Sequence, residues 1–433
     1  MPHIHSLYCG GFINNLQMKL VKKDKLYFLL ISITLLFNAC KKEAIIAENS
    51  DHFGIKYDPG TGIYPVGAVQ SVDNAYYVFG NFTNKTNRSQ DGFVMKIDGD
   101  LNIIWNKTYG GFKNDEFSSL AIDESGNLMV VGSSNSFVTS IDSNYKFPNS
   151  RFYMVYIDKD GKTIWEKTFQ ANEGPGNLNR YNAASKVFYL KNNTFGITGT
   201  TKNFKNKINN DSNYTKDVFA FGIDKQANIK WEKRLYDTIA VANKQNEFEE
   251  SCYDAVLSDD GNIILLMTHY YYPYSNLTLI KIGTTDIGYS ENKYIWKGPE
   301  IWDITTPFQG FETGTPPIEL LSGDKVMIND YMSGRICLTD DFGKIDKYDL
   351  FSADIDAYNF IKDNKNTILM TSTGWGLLEP DGTISHKVDV KDPTGSYVLL
   401  NSKKEFLVFG GSYTSTGGIT MRKYDYNGNI LIK

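Results

Sequence analysis

The residues able to do chemistry in this sequence are few and scattered. Its five histidines fall at 3, 5, 52, 269 and 386, and none forms the i, i+4 pair that zinc binding on a helix uses. Neither zinc nor a Ser-His-Asp site is expected. The four cysteines are Cys9, Cys40, Cys252 and Cys337. The last two lie too far apart for a zinc site and are too few for a disulfide framework. Strand-like neighbours make them expected buried thiols, with a disulfide between them left open for an oxidising compartment. The Asp-rich stretches 158–161 and 258–261 carry oxygen ligands of the calcium kind, but no distal Glu follows at EF-hand spacing. Turn chemistry is the expected role, and no metal or cofactor is expected. What remains is recognition chemistry. Tyr270, Tyr271, Tyr272 and Tyr274 crowd one segment, and Trp302 and Phe308 lie in the connection 297–317. Such rings stack on sugars or bury against peptides, or else pack the loops that carry them.

Cys40 carries a different chemistry. From Met18 the chain reads MKLVKKDKLYFLLISITLLFNAC: four lysines, a short apolar run from Leu26 to Phe37, then Ala39 and Cys40. The run is shorter than the roughly 20 residues of a membrane-spanning helix. Residues 36–40 resemble a lipobox, in the relaxed form of Bacteroidetes lipoproteins. The resemblance implies that Cys40 is acylated and becomes the mature N-terminus. Two acyl chains hold a protein on a bilayer where one does not. Residues 1–39 are therefore the expected signal region, with Met18 as the expected start. Residues 40–62 are a linker and 63–433 the folded body. Lys41 and Lys42 follow the anchor, so periplasmic and surface display both stay open.

The elements that must position these groups are repeats. D-G-F-V-M-K-I-D at 91–98 leads to Trp105, F-Y-M-V-Y-I-D at 152–158 to Trp165, V-F-A-F-G-I-D at 218–224 to Trp231, and L-T-L-I-K-I at 277–282 to Trp296. Weaker copies without this Trp follow at 335–343, 376–382 and 420–428. Each unit also has an earlier hairpin, as at 119–132, 255–267 and 397–410. Asp-Gly and Gly-Asn between apolar runs are hairpin turns because they tolerate positive φ. Four strands per unit, about seven times over, predict an all-β fold: a single β-propeller of seven four-stranded blades. The segment 52–57 is a candidate closing strand for the last blade.

The unit at 91–111 resembles the repeats of Bacteroidetes propeller lipoproteins carrying quinoprotein-like or bulb-lectin-like labels. The resemblance supports fold and cell-envelope address. It does not supply catalytic residues. The quinoprotein docking motif places Gly four and Trp eight residues after Asp, whereas Asp158, Gly161 and Trp165 stand three and seven apart. Sialidase Asp boxes fail at Asp160. The local reading is that Asp158 caps a turn and Trp165 packs between blades.

Net charge supports the same class. The net charge of −5 hides a leader of +3 and a body of 41 basic and 49 acidic residues, which disfavours nucleic acid. Connections 82–91, 134–151, 201–217 and 236–251 are long and are expected on one face, where function tends to reside. The expectation is a monomeric, non-enzymatic outer-membrane lipoprotein. Its partners would be the membrane, through Cys40, and a glycan or envelope protein. A glycan-active hydrolase or a quinoprotein-like oxidoreductase is the alternative, and a hydrolase needs paired carboxylates about 5–9.5 Å apart at the channel. If 52–57 closes the ring, deleting residues 50–60 lowers the melting temperature; an unchanged midpoint sinks that role.

Overall fold

Runs of β-branched and aromatic residues, punctuated by Asp, Asn and Gly, form strands throughout the chain. The computed structural model describes residues 61–137, 150–171, 181–190, 193–203, 215–235, 249–271, 274–284, 318–320, 326–330, 335–339, 345–347, 357–363, 366–371, 374–378, 384–389, 397–410 and 418–432. The chain divides into Met1–His52 and Phe53–Lys433, and every described residue belongs to the second unit. Among the described residues all regular elements are strands, and no helix is long and apolar enough to cross a membrane.

The strands group in sequence order into blades. Blade 1 is β1 (Thr61–Gln70), β2 (Tyr76–Thr83), β3 (Gln90–Ile97) and β4 (Ile103–Tyr109). Blade 2 is β5 (Asp115–Ile122), β6 (Leu128–Ser134), β7 (Arg151–Ile157) and β8 (Thr163–Phe169). Blade 3 is β9 (Tyr181–Tyr189), β10 (Phe195–Asn203), β11 (Thr215–Ile223) and β12 (Ile229–Leu235). Blade 4 shows β13 (Glu249–Leu257), β14 (Ile263–Tyr271) and β15 (Tyr274–Ile282). Blade 5 is β16 (Ile318–Leu320), β17 (Val326–Asp330), β18 (Arg335–Thr339) and β19 (Ile345–Lys347). Blade 6 is β20 (Ala357–Asp363), β21 (Asn366–Thr371), β22 (Gly374–Leu378) and β23 (Ile384–Asp389). Blade 7 is β24 (Tyr397–Leu400), β25 (Phe406–Gly410), β26 (Thr420–Tyr424) and β27 (Ile430–Ile432).

Within each blade neighbouring strands pair antiparallel. The first strands then touch in succession, β1 with β5, β5 with β9, β9 with β13, β13 with β16, β16 with β20 and β20 with β24. Contact of β24 with β1 completes the circle, so the fold is a β-propeller of seven blades. A shared cluster cements that last junction: Ile63, Val78, Phe93 and Met95 of blade 1 against Leu407, Phe409 and Met421 of blade 7. The hydroxyl of Tyr76 accepts from Asn401 Nδ2 at 2.8 Å, and Ser402 N donates to Gln70 Oε1 at 2.9 Å. All four strands of blade 7 come from 397–432, and segment 52–57 lies outside the described residues.

The doubly apolar strands are the two middle ones of a blade. β2, β3, β6 and β7 are buried almost end to end, whereas the outer β4 and β8 are largely exposed. The innermost β5 alternates.

Among the described residues nine turns share one design. In each, the first residue's N–H reaches the fifth residue's carbonyl and the fourth N–H returns to the first carbonyl, as at 98–102, 123–127, 158–162, 224–228 and 425–429. The fourth residue has positive φ every time, from 60° at Asn74 to 88° at Gly161. Where the first residue is Asp, its Oδ1 also accepts two turn N–H groups; Asp158 takes those of Asp160 and Lys162. Asp158 therefore caps a turn, as its sequence suggests. Trp165 spans two blades: its ring lies against Tyr156 at 5.6 Å and its Nε1 donates to the Lys225 carbonyl of blade 3 at 2.8 Å. Trp105 makes the same reach to Lys159 at 3.4 Å. Blade 6 does have such a residue, against expectation. Trp375 sits one strand further in, on β22, and donates to Tyr426 of blade 7 at 3.2 Å.

The first strands carry bulges at Val66, Ser118, Ser185 and Tyr253. At Val66, Ser118 and Ser185 the bulge pushes the carbonyl two residues earlier against a facing glycine, Gly80, Gly132 or Gly199, whereas in blade 4 Met267 stands opposite Cys252. A Cβ on Gly132 would stand 1.7 Å from the Glu116 carbonyl oxygen, and one on Gly199 would stand 2.2 Å from that of Ala183. Gly132→Ala is expected to cost about 3 kcal/mol. Gly126→Ala, strained only by its φ of +82°, is expected to cost about 1 kcal/mol. Urea denaturation of both decides: equal losses would refute the close approach.

Candidate functional face

In an antiparallel meander the first-to-second and third-to-fourth turns share one face, and the remaining connections emerge on the other. The first face is the one built from the nine standard turns. The strand ends that flank 135–150, 204–214 and 236–248 lie at the second. Two connections there are short. β2 and β3 are joined by 84–89, a narrower span than the expected 82–91, and β4 and β5 by 110–114; in blade 4 the β14–β15 ladder runs out to Tyr271 opposite Tyr274.

On this face a hydrogen-bonded junction joins blades 1 and 2. Asn87 Nδ2 donates to the Gly111 carbonyl at 3.1 Å, and Gln90 N to Asn114 Oδ1 at 3.2 Å. Asn135 N donates to the Asn114 carbonyl at 2.8 Å, and Lys113 N to Ser136 Oγ at 2.9 Å. Three connections are thereby held as one frame. On it stands Phe112, 92% exposed, with Phe137 at 41% resting 5.6 Å from the Tyr153 ring. A large apolar ring carried on a hydrogen-bonded main chain is an anchor whose backbone has little ordering left to lose on binding.

Beside the frame, the first strands place polar groups near the ring axis. Glu116 of β5 is half-buried, and burial together with the Asp115 charge raises its carboxyl above the usual range. Tyr181 of β9 is 39% exposed, yet crowding by protein and then the Glu116 charge raise its hydroxyl. Deeper in, Asp254 of β13 is buried. Lys186 Nζ lies 3.0 Å from its Oδ1, and the N–H groups of Ala255 and Ile318 donate to it at 2.9 and 3.3 Å. Burial raises the Asp254 carboxyl, and Lys186 opposes the shift. That cluster joins blades 3, 4 and 5.

These groups suit recognition better than bond-making. Cys252 is a free, buried thiol that burial pushes up to about 12, so it is not a nucleophile at neutral pH. Paired carboxylates do exist, at Asp91 and Asp115, but their exposures of 6% and 0% keep them from a glycosidic bond. Among the described residues no three His, Cys, Asp or Glu side chains converge for a metal.

The residues singled out by sequence fall unevenly. Tyr270, Tyr271 and Tyr274 belong to the β14–β15 ladder, with Tyr271 opposite Tyr274, at its tip on the long-connection face. Their side chains lie outside the described residues, as do Tyr272, Trp302, Phe308, Trp296 and Cys40. Trp105 and Trp165 are inter-blade fasteners, and Trp231 packs into the interface of blades 3 and 4. Sequence reasoning missed Phe112, Phe137, Glu116 and Tyr181. The G-G-F at 110–112 was visible, but its hydrogen-bonded support comes from Asn87, Asn114 and Ser136, which no local pattern links.

The chain resembles several solved structures. A protein of unknown function from Bacteroides caccae is 10% identical, with a TM-score of 0.38 over 65% of this chain and 88% of its own. Virginiamycin B lyase from Staphylococcus aureus is 12% identical, with a TM-score of 0.44 over 85% and 97%. Sqt1 from Chaetomium thermophilum is 13% identical, with a TM-score of 0.46 over 88% and 86%. No protein-family model matches the sequence, and no curated protein matches it.

Proposed function

We propose that this chain is a non-enzymatic lipoprotein of the cell envelope, anchored in the outer membrane through acylated Cys40. It would offer the long-connection face of its propeller to a glycan or protein partner. The contrast between the two faces carries this reading. One is spent on nine near-identical turns whose polar groups are satisfied internally. The other holds Phe112 and Phe137 on a hydrogen-bonded frame and bears the Tyr271–Tyr274 ladder tip. The anchor rests on the basic n-region, the short apolar run and Ala39 before Cys40.

Two experiments test the halves separately. Expressed with labelled palmitate, the wild-type chain is expected to take up label and sediment with membranes, and Cys40→Ser to do neither. An unlabelled wild type sinks the anchor. On a glycan array, the Cys40→Ser chain is expected to give hits. Phe112→Ala with Phe137→Ala, or Tyr272→Ala with Trp302→Ala, should weaken them at least tenfold, about 1.4 kcal/mol. If the array is silent, a photo-crosslinker at position 112 in intact cells reads the protein alternative. Silence in both, or full binding by both double variants, removes this face as the site.

A further inference from the structure

We infer that Asp91 and Asp115 form a binding site for a hard divalent cation of the calcium type at the junction of blades 1 and 2. Asp91 lies near the start of β3 and Asp115 opens β5; they are 6% and 0% exposed. Asp91 Oδ2 accepts from Asn84 Nδ2 at 2.7 Å, while its Oδ1 is buried with no hydrogen-bond partner. Asp115 Oδ2 accepts from Gly111 N at 2.6 Å and Ser136 Oγ at 2.5 Å, and its Oδ1 from Ser136 N at 3.4 Å. The two carboxylates converge above Gly110, whose φ is +139°. A Cβ there would lie 2.6 Å from Asp91 Oδ1 and 3.0 Å from Asp115 Oδ2, so glycine keeps the space between them open.

Every donor to this pair is neutral, and the one charge acting on Asp91 is that of Asp115. Two buried like charges need a counter-ion or a proton. The repeats show how the chain solves the same problem elsewhere. Asp217 begins the third strand of blade 3 as Asp91 does that of blade 1, and Arg234 Nε meets its Oδ2 at 2.5 Å. Arg234 pairs across the ladder with Phe219. The matching pair in blade 1 is Thr108 with Phe93, so the guanidinium is replaced by a side chain without charge. In blade 2 the Asp position itself is Arg151. Blade 1 alone of these three keeps the acid and lacks the base.

The donor set is carboxylate and hydroxyl oxygen, which suits calcium and not the soft metals. With two carboxylates, the remaining positions fall to main-chain carbonyls and water. That composition belongs to the weak class of calcium sites, about 10⁻⁴–10⁻³ M, typical of modules outside the cytosol. A cation here would brace 110–114 and Ser136, the frame that presents Phe112 and Phe137.

Thermal melts of the full chain at pH 7.5, in EGTA and in 10 mM calcium chloride, test the site. Calcium is expected to raise the wild-type midpoint by about 2 °C. Asp91→Asn removes one charge and puts an amide donor toward Asp115. It is expected to melt above wild type in EGTA and to ignore calcium. Thr108→Arg copies blade 3 and is expected to lose the calcium response while keeping the fold; if it fails to fold, Asp91→Asn still decides. A wild type indifferent to calcium but stabilised by acid would show that the pair shares a proton, and the cation site would be wrong. Equal calcium responses in wild type and Asp91→Asn would place the ion elsewhere and overturn it too.

Discussion

Everything in this fold follows from strands that are apolar on both sides. In β7, Phe152, Met154 and Tyr156 face blade 3, while Tyr153, Val155 and Ile157 face blade 1. In β2, Tyr76 and Val78 face blade 7, and Tyr77 and Phe79 face blade 2. The two-residue period of a strand thus divides its side chains between two interfaces. A lone blade would leave both sets in water, at about 25 cal/mol per Å² of apolar surface. No blade is a stable unit, and the row of blades has no natural end short of closing on itself. Blades 1 and 7 make that closure through side chains, since each takes its four strands from one continuous segment.

Closing a ring forces the first strands together near the axis, and there the bulges matter. A bulge leaves backbone groups that its own ladder cannot pair. The neighbouring blade supplies the partners. Phe117 N donates to Asn81 Oδ1 at 2.7 Å, and Asn81 Nδ2 returns to the Phe117 carbonyl at 3.0 Å. Cys252 N donates to Thr200 Oγ1 at 3.1 Å, and Ser185 Oγ donates to the Cys252 carbonyl at 3.0 Å. Ser118 Oγ reaches the Ala184 carbonyl at 2.6 Å. What counts as a defect inside one sheet is a fastener between two. Orphaned backbone groups are costly when buried, so these side chains fix the angular register that apolar packing alone leaves loose.

The parts of the fold readable from sequence are those decided within a few residues. Asp158 to Lys162 carries its own turn, cap included, and the doubly apolar run 152–157 announces a buried strand. The Trp spacing marks blades 1 to 3: Trp105 and Trp165 each donate to the second residue of a turn in the next blade, and Trp231 packs against blade 4. Trp375 escaped that pattern because it reaches Tyr426 from the third strand instead of the fourth. The bulge at Ser118 and the need for glycine at 132 are set by a partner strand, and no spacing within β5 reveals them. Asp91 was legible as a repeat position, but its burial beside Asp115 depends on Gly110 and on Thr108 standing where blade 3 has Arg234. Phe112 looked like any loop residue because its support is contributed by three separate connections.

The asymmetry of the two faces has a physical origin. A five-residue turn closes its hydrogen bonds with its own atoms: Asp224 accepts from Gln226 N and Asn228 N, and its second carbonyl, at Lys225, is taken by Trp165. Little polar capacity is left for a partner, and the strands above hold the turn to one length. The described connections opposite do not rely on local closure alone: 84–89 closes from Asn84 to Ser89 and also reaches its neighbour. They borrow partners from one another, as Asn87 does from Gly111 and Lys113 from Ser136. Borrowing gives a stiff surface but an imperfect one, with a carboxylate oxygen of Asp91 left over and the Phe112 ring outside the core. The inter-blade clusters are drawn overwhelmingly from the strands, so these connections can change without touching the ring. Stiffness and freedom to vary coincide there, and that pairing is what a recognition surface requires.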